Sequence, residues 1–215
     1  MINADKGPWL EKDDLLVCLG DSLTADPQGY MGLLAPDLEK RGIAVRNAGR
    51  SGDKTPSALT RLVPDVIDPK PTAVLIFLGT NDCAIGRGKW ADEPRVPPEA
   101  YASNLRWIMH LCQKEGGIRK FSIIPPLWRF EGEAWREFGD IMRDYRLAAR
   151  EAAEDAGARF VPADIAFAEE WARHPGHTGL LLTVDGVHLS ALGKQLLCQT
   201  ILDAWKLPGT KEAQP

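Results

Sequence analysis

Five short apolar runs punctuate the chain, each closed by glycine, asparagine or proline: residues 15–19, 43–46, 73–78, 121–124 and 159–161. Their length, β-branched content and flanking turn residues predict strands. Between them the apolar positions recur at helical spacing. Residues 29–41 form the first such segment, stopped by Gly42. Residues 55–67 form the second, which Pro64 should kink or end early. In 98–114, Tyr101, Leu105, Ile108 and Cys112 share one face. In a long helix over 134–156, Trp135, Phe138, Met142, Tyr145 and Ala149 do the same, until Gly157 ends it. Ser190 is a suitable N-cap for a last helix reaching about Lys206. Strand and helix therefore alternate, which predicts an α/β protein: a parallel sheet with helices on both faces, a three-layer α/β/α sandwich. Nothing divides residues 1–215 into two units, so a single domain with a core over about 13–207 is expected.

Composition narrows the function classes without choosing one. Of 215 residues 44% are hydrophobic, enough for one sizeable core, and the net charge is −4. Basic residues are scattered among acids, which argues against a nucleic-acid surface. No segment approaches the roughly 20 apolar residues that span a bilayer. The first residues are polar and acidic and lack the pattern of a signal peptide, so a cytoplasmic location is expected. Cys18, Cys83, Cys112 and Cys198 form no CxxC pair and read as buried free thiols. His174 and His177 lie in a Pro/Gly loop with no third ligand in view, so no metal site and no cofactor are expected. Homo-oligomerisation is left open.

Four short blocks carry chemistry. Gly20-Asp21-Ser22-Leu23 ends the first strand and exposes a serine; Asn47-Ala48-Gly49 follows the second; Gly79-Thr80-Asn81-Asp82 follows the third; Asp185-Gly186-Val187-His188 lies near the C-terminus. Each alone also fits a turn. Together they hold the residue types that acyl transfer requires. A serine hydroxyl needs a base to remove its proton, and the base needs an acceptor on its other nitrogen. Three residues apart, Asp185 and His188 can meet. The Ser22 and Gly49 amides and the Asn81 side chain offer donors to an oxyanion.

In these four ordered blocks the chain resembles the GDSL, or SGNH, hydrolase superfamily, and the match runs from Gly20 to His188. The resemblance implies a five-stranded parallel sheet of order 2-1-3-4-5. It also implies Ser22 as nucleophile and first oxyanion donor, Gly49 and Asn81 as the other donors, His188 as base and Asp185 as its orienting partner. In open parallel sheets the ligand crevice lies beyond the carboxyl ends of the strands, where Ser22, Gly49 and Asn81 all fall. A helix following Ser22 would add a favourable dipole.

The crevice walls should come from residues 83–97, 125–134 and 174–183, which include Arg87, Lys89, Trp90, Trp128, Arg129 and Phe130. Asp21, Arg87, Trp90 and Trp128 are the expected substrate contacts. Tryptophan beside hydrogen-bonding groups suits a sugar ring, whereas Trp107, Trp135 and Trp205 fall in helices and read as core. No continuous apolar loop is present to hold a long acyl chain. The expected activity is hydrolysis of short acyl esters, acetyl above all, from a carbohydrate or other small molecule. The alternatives are a lysophospholipase or thioesterase for longer chains, and a non-catalytic module that binds acylated glycans.

Overall fold

The computed structural model describes residues 7–83, 92, 94–127 and 131–207. Five parallel strands, β1 (Leu15–Gly20), β2 (Ala44–Gly49), β3 (Ala73–Phe77), β4 (Lys120–Ile124) and β5 (Arg159–Phe160), form one sheet of order β2-β1-β3-β4-β5. The register puts Gly20 opposite Gly49 on one side and Phe77 on the other, with Phe77 opposite Ile124. The strands thus end in one row, and the chemistry-bearing blocks leave the sheet at a common edge.

Alternation along the strands splits the core in two. Val17, Leu19, Val74, Ile76, Phe121 and Ile123 face one layer of helices. That layer is α3 (Thr55–Thr60), α4 (Pro98–Gly116) and α6 (Arg143–Asp155). Leu16, Cys18, Ala73, Leu75, Phe77 and Ile124 face the other layer. It comprises α2 (Met31–Lys40), α7 (Ala163–Ala172) and α8 (Ala191–Ala204). The inner strands are apolar on both faces because helices cover both. Edge strand β2 tolerates exposed Arg46 and Asn47.

Several helix predictions need correction. The helix expected over 134–156 is two: α5 (Gly132–Phe138) and α6. Gly139 closes α5 at φ 65°, and Asp140 turns back to bind Arg146 Nη1 at 2.8 Å and Nη2 at 2.5 Å. Tyr145 and Ala149 are fully buried as expected, but Phe138, before the break, is 41% exposed. Helix α3 stops at Thr60, and Pro64 lies within a separate π-helical turn, Val63–Ile67. Helix α7 was not foreseen; only its Ala163 and Phe167 are buried, so it has little apolar stripe to read. Trp205 is fully buried, donates from Nε1 to Ser122 Oγ (2.9 Å) and stacks on Trp9, whereas Trp107 is exposed against His110. Among the described residues no helix is long and apolar enough to cross a membrane.

All four cysteines are buried and none forms a disulfide. Burial disfavours the thiolate, raising Cys112 to about 12, Cys198 to about 11 and Cys18 further. Ellman's reagent at pH 8 should therefore leave these three unmodified in the native protein and react with them only after denaturation. Fast native labelling at any of the three, mapped by mass spectrometry, would contradict that packing.

Candidate active site

Ser22 opens α1 (Ser22–Ala25), a single turn directly after β1. The turn forms because Asp21 accepts the Leu23 amide at Oδ1 (2.9 Å) and the Thr24 and Ala25 amides at its backbone carbonyl. One turn carries little dipole, so the expected contribution from a helix after Ser22 is small. Asp21 also departs from expectation: at 1% exposure it caps this turn and holds Asn81, facing the protein rather than substrate.

Gly49 ends β2 against α1. A Cβ there would stand 2.3 Å from the Ala25 nitrogen, so only glycine permits the approach. Asn47 fastens the same corner, donating to Thr24 O (2.7 Å) and accepting the Gly49 amide at Oδ1 (2.8 Å). Asn81, past the end of β3, donates from Nδ2 to Asp53 O (3.0 Å) and, at longer range, to Asp21 Oδ2 (3.3 Å). Beside it Asp82 is fully buried and accepts the Thr55 amide and hydroxyl at the start of α3. Burial raises the Asp82 pKa despite these bonds.

The fourth block is a tight hairpin. Thr183 pairs antiparallel with Leu189, Val184 N donates to His188 O (2.8 Å), and Gly186 turns at φ 84°. Ser190 caps α8 as expected, accepting the Gly193 amide (3.2 Å), so His188 sits two residues before a fixed helix start. Asp185 Oδ2 meets His188 Nδ1 at 2.7 Å, and Oδ1 accepts the Val187 and His188 amides. On the far side His188 Nε2 lies 3.2 Å from Ser22 Oγ. Partial burial would raise the Asp185 pKa, but bonds from the His188 ring and the His188 and Val187 amides outweigh it and hold the carboxyl below its usual range. Asp185 is therefore anionic at neutral pH. The hydrogen-bonded row of carboxylate, imidazole and hydroxyl is one that can withdraw a proton from the hydroxyl.

Of the other expected site residues, Arg87, Trp90 and Trp128 lie outside the described residues. His174 bonds Glu170 (3.0 Å), and His177 packs on Trp171. What sequence reasoning missed lies beneath the edge. Arg61, 5% exposed, donates to Asp53 Oδ2 (2.5 Å), Asp65 Oδ2 (2.8 Å) and Gly20 O (3.2 Å), so it links the strand before Ser22 to the residue holding Asn81. Its only local signal is a charge amid Ala58, Leu62 and Val66 on a buried face.

The sheet order and this edge define an SGNH-type α/β/α hydrolase fold. The model of the GDSL-like lipase/acylhydrolase family matches residues 18–196. The chain belongs to that family. It is 27% identical over 209 residues to an acetylxylan esterase of Geobacillus stearothermophilus, covering 87% of this chain and 91% of the other. To a homolog of isoamyl acetate-hydrolyzing esterase 1 from Bos taurus it is 29% identical over 204 residues, 85% and 77% of the two chains. The crystal structure of a catalytic mutant of an acetylxylan esterase from G. stearothermophilus superposes with TM-score 0.78 at 25% identity, covering 91% and 95%. The chain spans 31% and 48% of the length of two other curated relatives.

Removing the buried guanidinium while Asp53 stays buried leaves an uncompensated charge. Arg61→Met should cost about 3–5 kcal/mol in denaturant unfolding. A loss under about 1 kcal/mol, the value of an exposed pair, would refute the hub.

Proposed function

We propose that the protein is a serine esterase that removes short acyl groups, most specifically O-acetyl groups from a carbohydrate. The observation that carries the reading is the row Asp185–His188–Ser22, at 2.7 and 3.2 Å, at the carboxyl edge of the sheet. Ser22 Oγ attacks the ester carbonyl carbon while His188 Nε2 takes its proton. The tetrahedral intermediate collapses, the alcohol leaves with the proton from His188, and the acetyl group stays on Ser22. Water, deprotonated by His188, then releases acetate and restores the serine. The Ser22 and Gly49 amides and the Asn81 side chain donate to the oxyanion.

Two relatives support the acetyl preference. Both of those named above, each matched along most of its length, bear names that specify acetyl or acetate esters. The carbohydrate is the finer step and rests on the acetylxylan esterase resemblance together with the tryptophan content of the chain.

A p-nitrophenyl ester series from two to about twelve carbons, followed by acetylated xylooligosaccharides, tests the substrate. Activity is expected on acetyl and propionyl esters and on the acetylated sugars, and to vanish in Ser22→Ala. A maximum at eight carbons or more would instead assign a lysophospholipase or thioesterase. Asn81→Ala should lower kcat by about 10²–10³ if the amide serves the oxyanion. Unchanged turnover would remove Asn81 from that role.

A further inference from the structure

Between β4 and α5 stands Glu131, a carboxylate 5% exposed that belongs to none of the four sequence blocks. Its Oε2 accepts the amides of Leu181 (2.8 Å) and Leu182 (3.1 Å). Its Oε1 accepts the amide (2.5 Å) and the hydroxyl of Thr183. Three consecutive backbone donors and one hydroxyl thus converge on one acceptor-only group. The hydroxyl of Thr183, its proton committed to Glu131, presents a lone pair to the Gly186 amide at 3.0 Å. Gly186 follows Asp185, and the arm that Glu131 grips is bridged to the arm bearing His188 through Thr183 and Leu189. The two loops also touch directly: a Cβ on Gly132 would lie 3.0 Å from Gly186 Cα, so backbone meets backbone there.

We infer that Glu131 is a positioning residue for His188, acting through the hairpin that carries it; the inference rests on the Ser22–His188–Asp185 reading above. The required chemistry is specific. Glutamine has nearly the same shape, but its NH₂ group would confront two of the four donors, leaving buried amides without an acceptor. Aspartate is a methylene shorter and cannot reach all four. Because Oγ of Ser22 and Nε2 of His188 meet from elements 166 residues apart, a small shift of the hairpin separates them directly. Misplacement by about 1 Å can cost about 10² in rate.

The experiment compares wild type, Glu131→Gln, Thr183→Val, His188→Ala and the Glu131→Gln/His188→Ala double variant on p-nitrophenyl acetate, with circular dichroism confirming folding. Glu131→Gln is expected to lower kcat by about 10–10² while KM changes by less than about threefold, since the base and not the binding surface moves. In the His188→Ala background the same change should alter the residual rate by less than about twofold, because there is no base left to position. Thr183→Val, which removes only the hydroxyl link, should fold and lower kcat by a smaller factor, and it carries the test if Glu131→Gln does not fold. Wild-type kcat in folded Glu131→Gln, or in Thr183→Val where only that variant folds, would overturn the inference. So would an equal loss in both backgrounds, the mark of a merely structural role. Full activity in His188→Ala alone would overturn the triad reading itself and this inference with it, an outcome distinct from inert Glu131 variants beside an inactive His188→Ala.

Discussion

The reactive edge depends on one buried guanidinium. A charge excluded from water must be paired and hydrogen-bonded, and Arg61 meets that requirement by reaching Asp53, Asp65 and the carbonyl of Gly20 at once. Each partner leads to a different part of the edge. Gly20 is the last residue of β1, two before Ser22. Asp53 offers its carbonyl to Asn81. Asp65 lies in the π-helical turn that replaces the end of the second predicted helix. The desolvation cost of such a group means that it adds little net stability compared with an apolar core, but its directional bonds fix where the first and third blocks stand relative to each other.

A second buried group performs the same task one residue further on. Asp82 receives the amide and hydroxyl of Thr55, whose hydroxyl also accepts from Asn104 Nδ2 on α4 (3.0 Å). Its backbone carbonyl takes the Val96 amide (2.9 Å). The third block therefore joins two helices of one layer to the edge of the sheet, and Asn81 is held between Asp82 and the Arg61 cluster. Glu131 does for the hairpin what these groups do for the strands. Asp82 and Glu131 each satisfy backbone amides outside the sheet ladder, while Arg61 ties the strand-end carbonyl of Gly20 to two carboxylates.

What was legible in the sequence was local. Short apolar runs and helical spacing located all five strands and most of the helices, because both signals arise from the burial of side chains close together along the chain. Serine after a strand-ending glycine, Asp-Gly before histidine, and Ser190 as an N-cap were readable for the same reason. Long-range polar partnerships were not. Glu131 and Thr183 are separated by 52 residues, and no periodicity announces that pairing. The split between α5 and α6 is not visible in the spacing because Phe138 and Met142 continue it across Gly139, where the chain turns at a φ of 65° that glycine adopts freely. Asp21 is spent on a local cap, accepting the Leu23 amide beside half-buried Ser22, which the residue string does not announce.

On the mechanism proposed, the free enzyme keeps two of its three oxyanion donors, the Gly49 amide and the Asn81 side chain, bonded to internal acceptors. The Gly49 amide rests on the neutral oxygen of Asn47, and the weaker of the two Asn81 bonds, at 3.3 Å, reaches Asp21. These internal acceptors hold the donors in place, so little reorganisation is needed when the reaction begins. They also set a threshold. A ground-state carbonyl is no better an acceptor than the Asn47 amide oxygen and gains little by competing with it. A full negative charge on the tetrahedral intermediate forms bonds roughly twice as strong as neutral ones and can draw the Gly49 amide to itself. The difference between the two is the part of the interaction that accelerates chemistry rather than binding. On the mechanism proposed, the Asn47 clip therefore does more than shape a turn: it makes donation by the Gly49 amide conditional on charge.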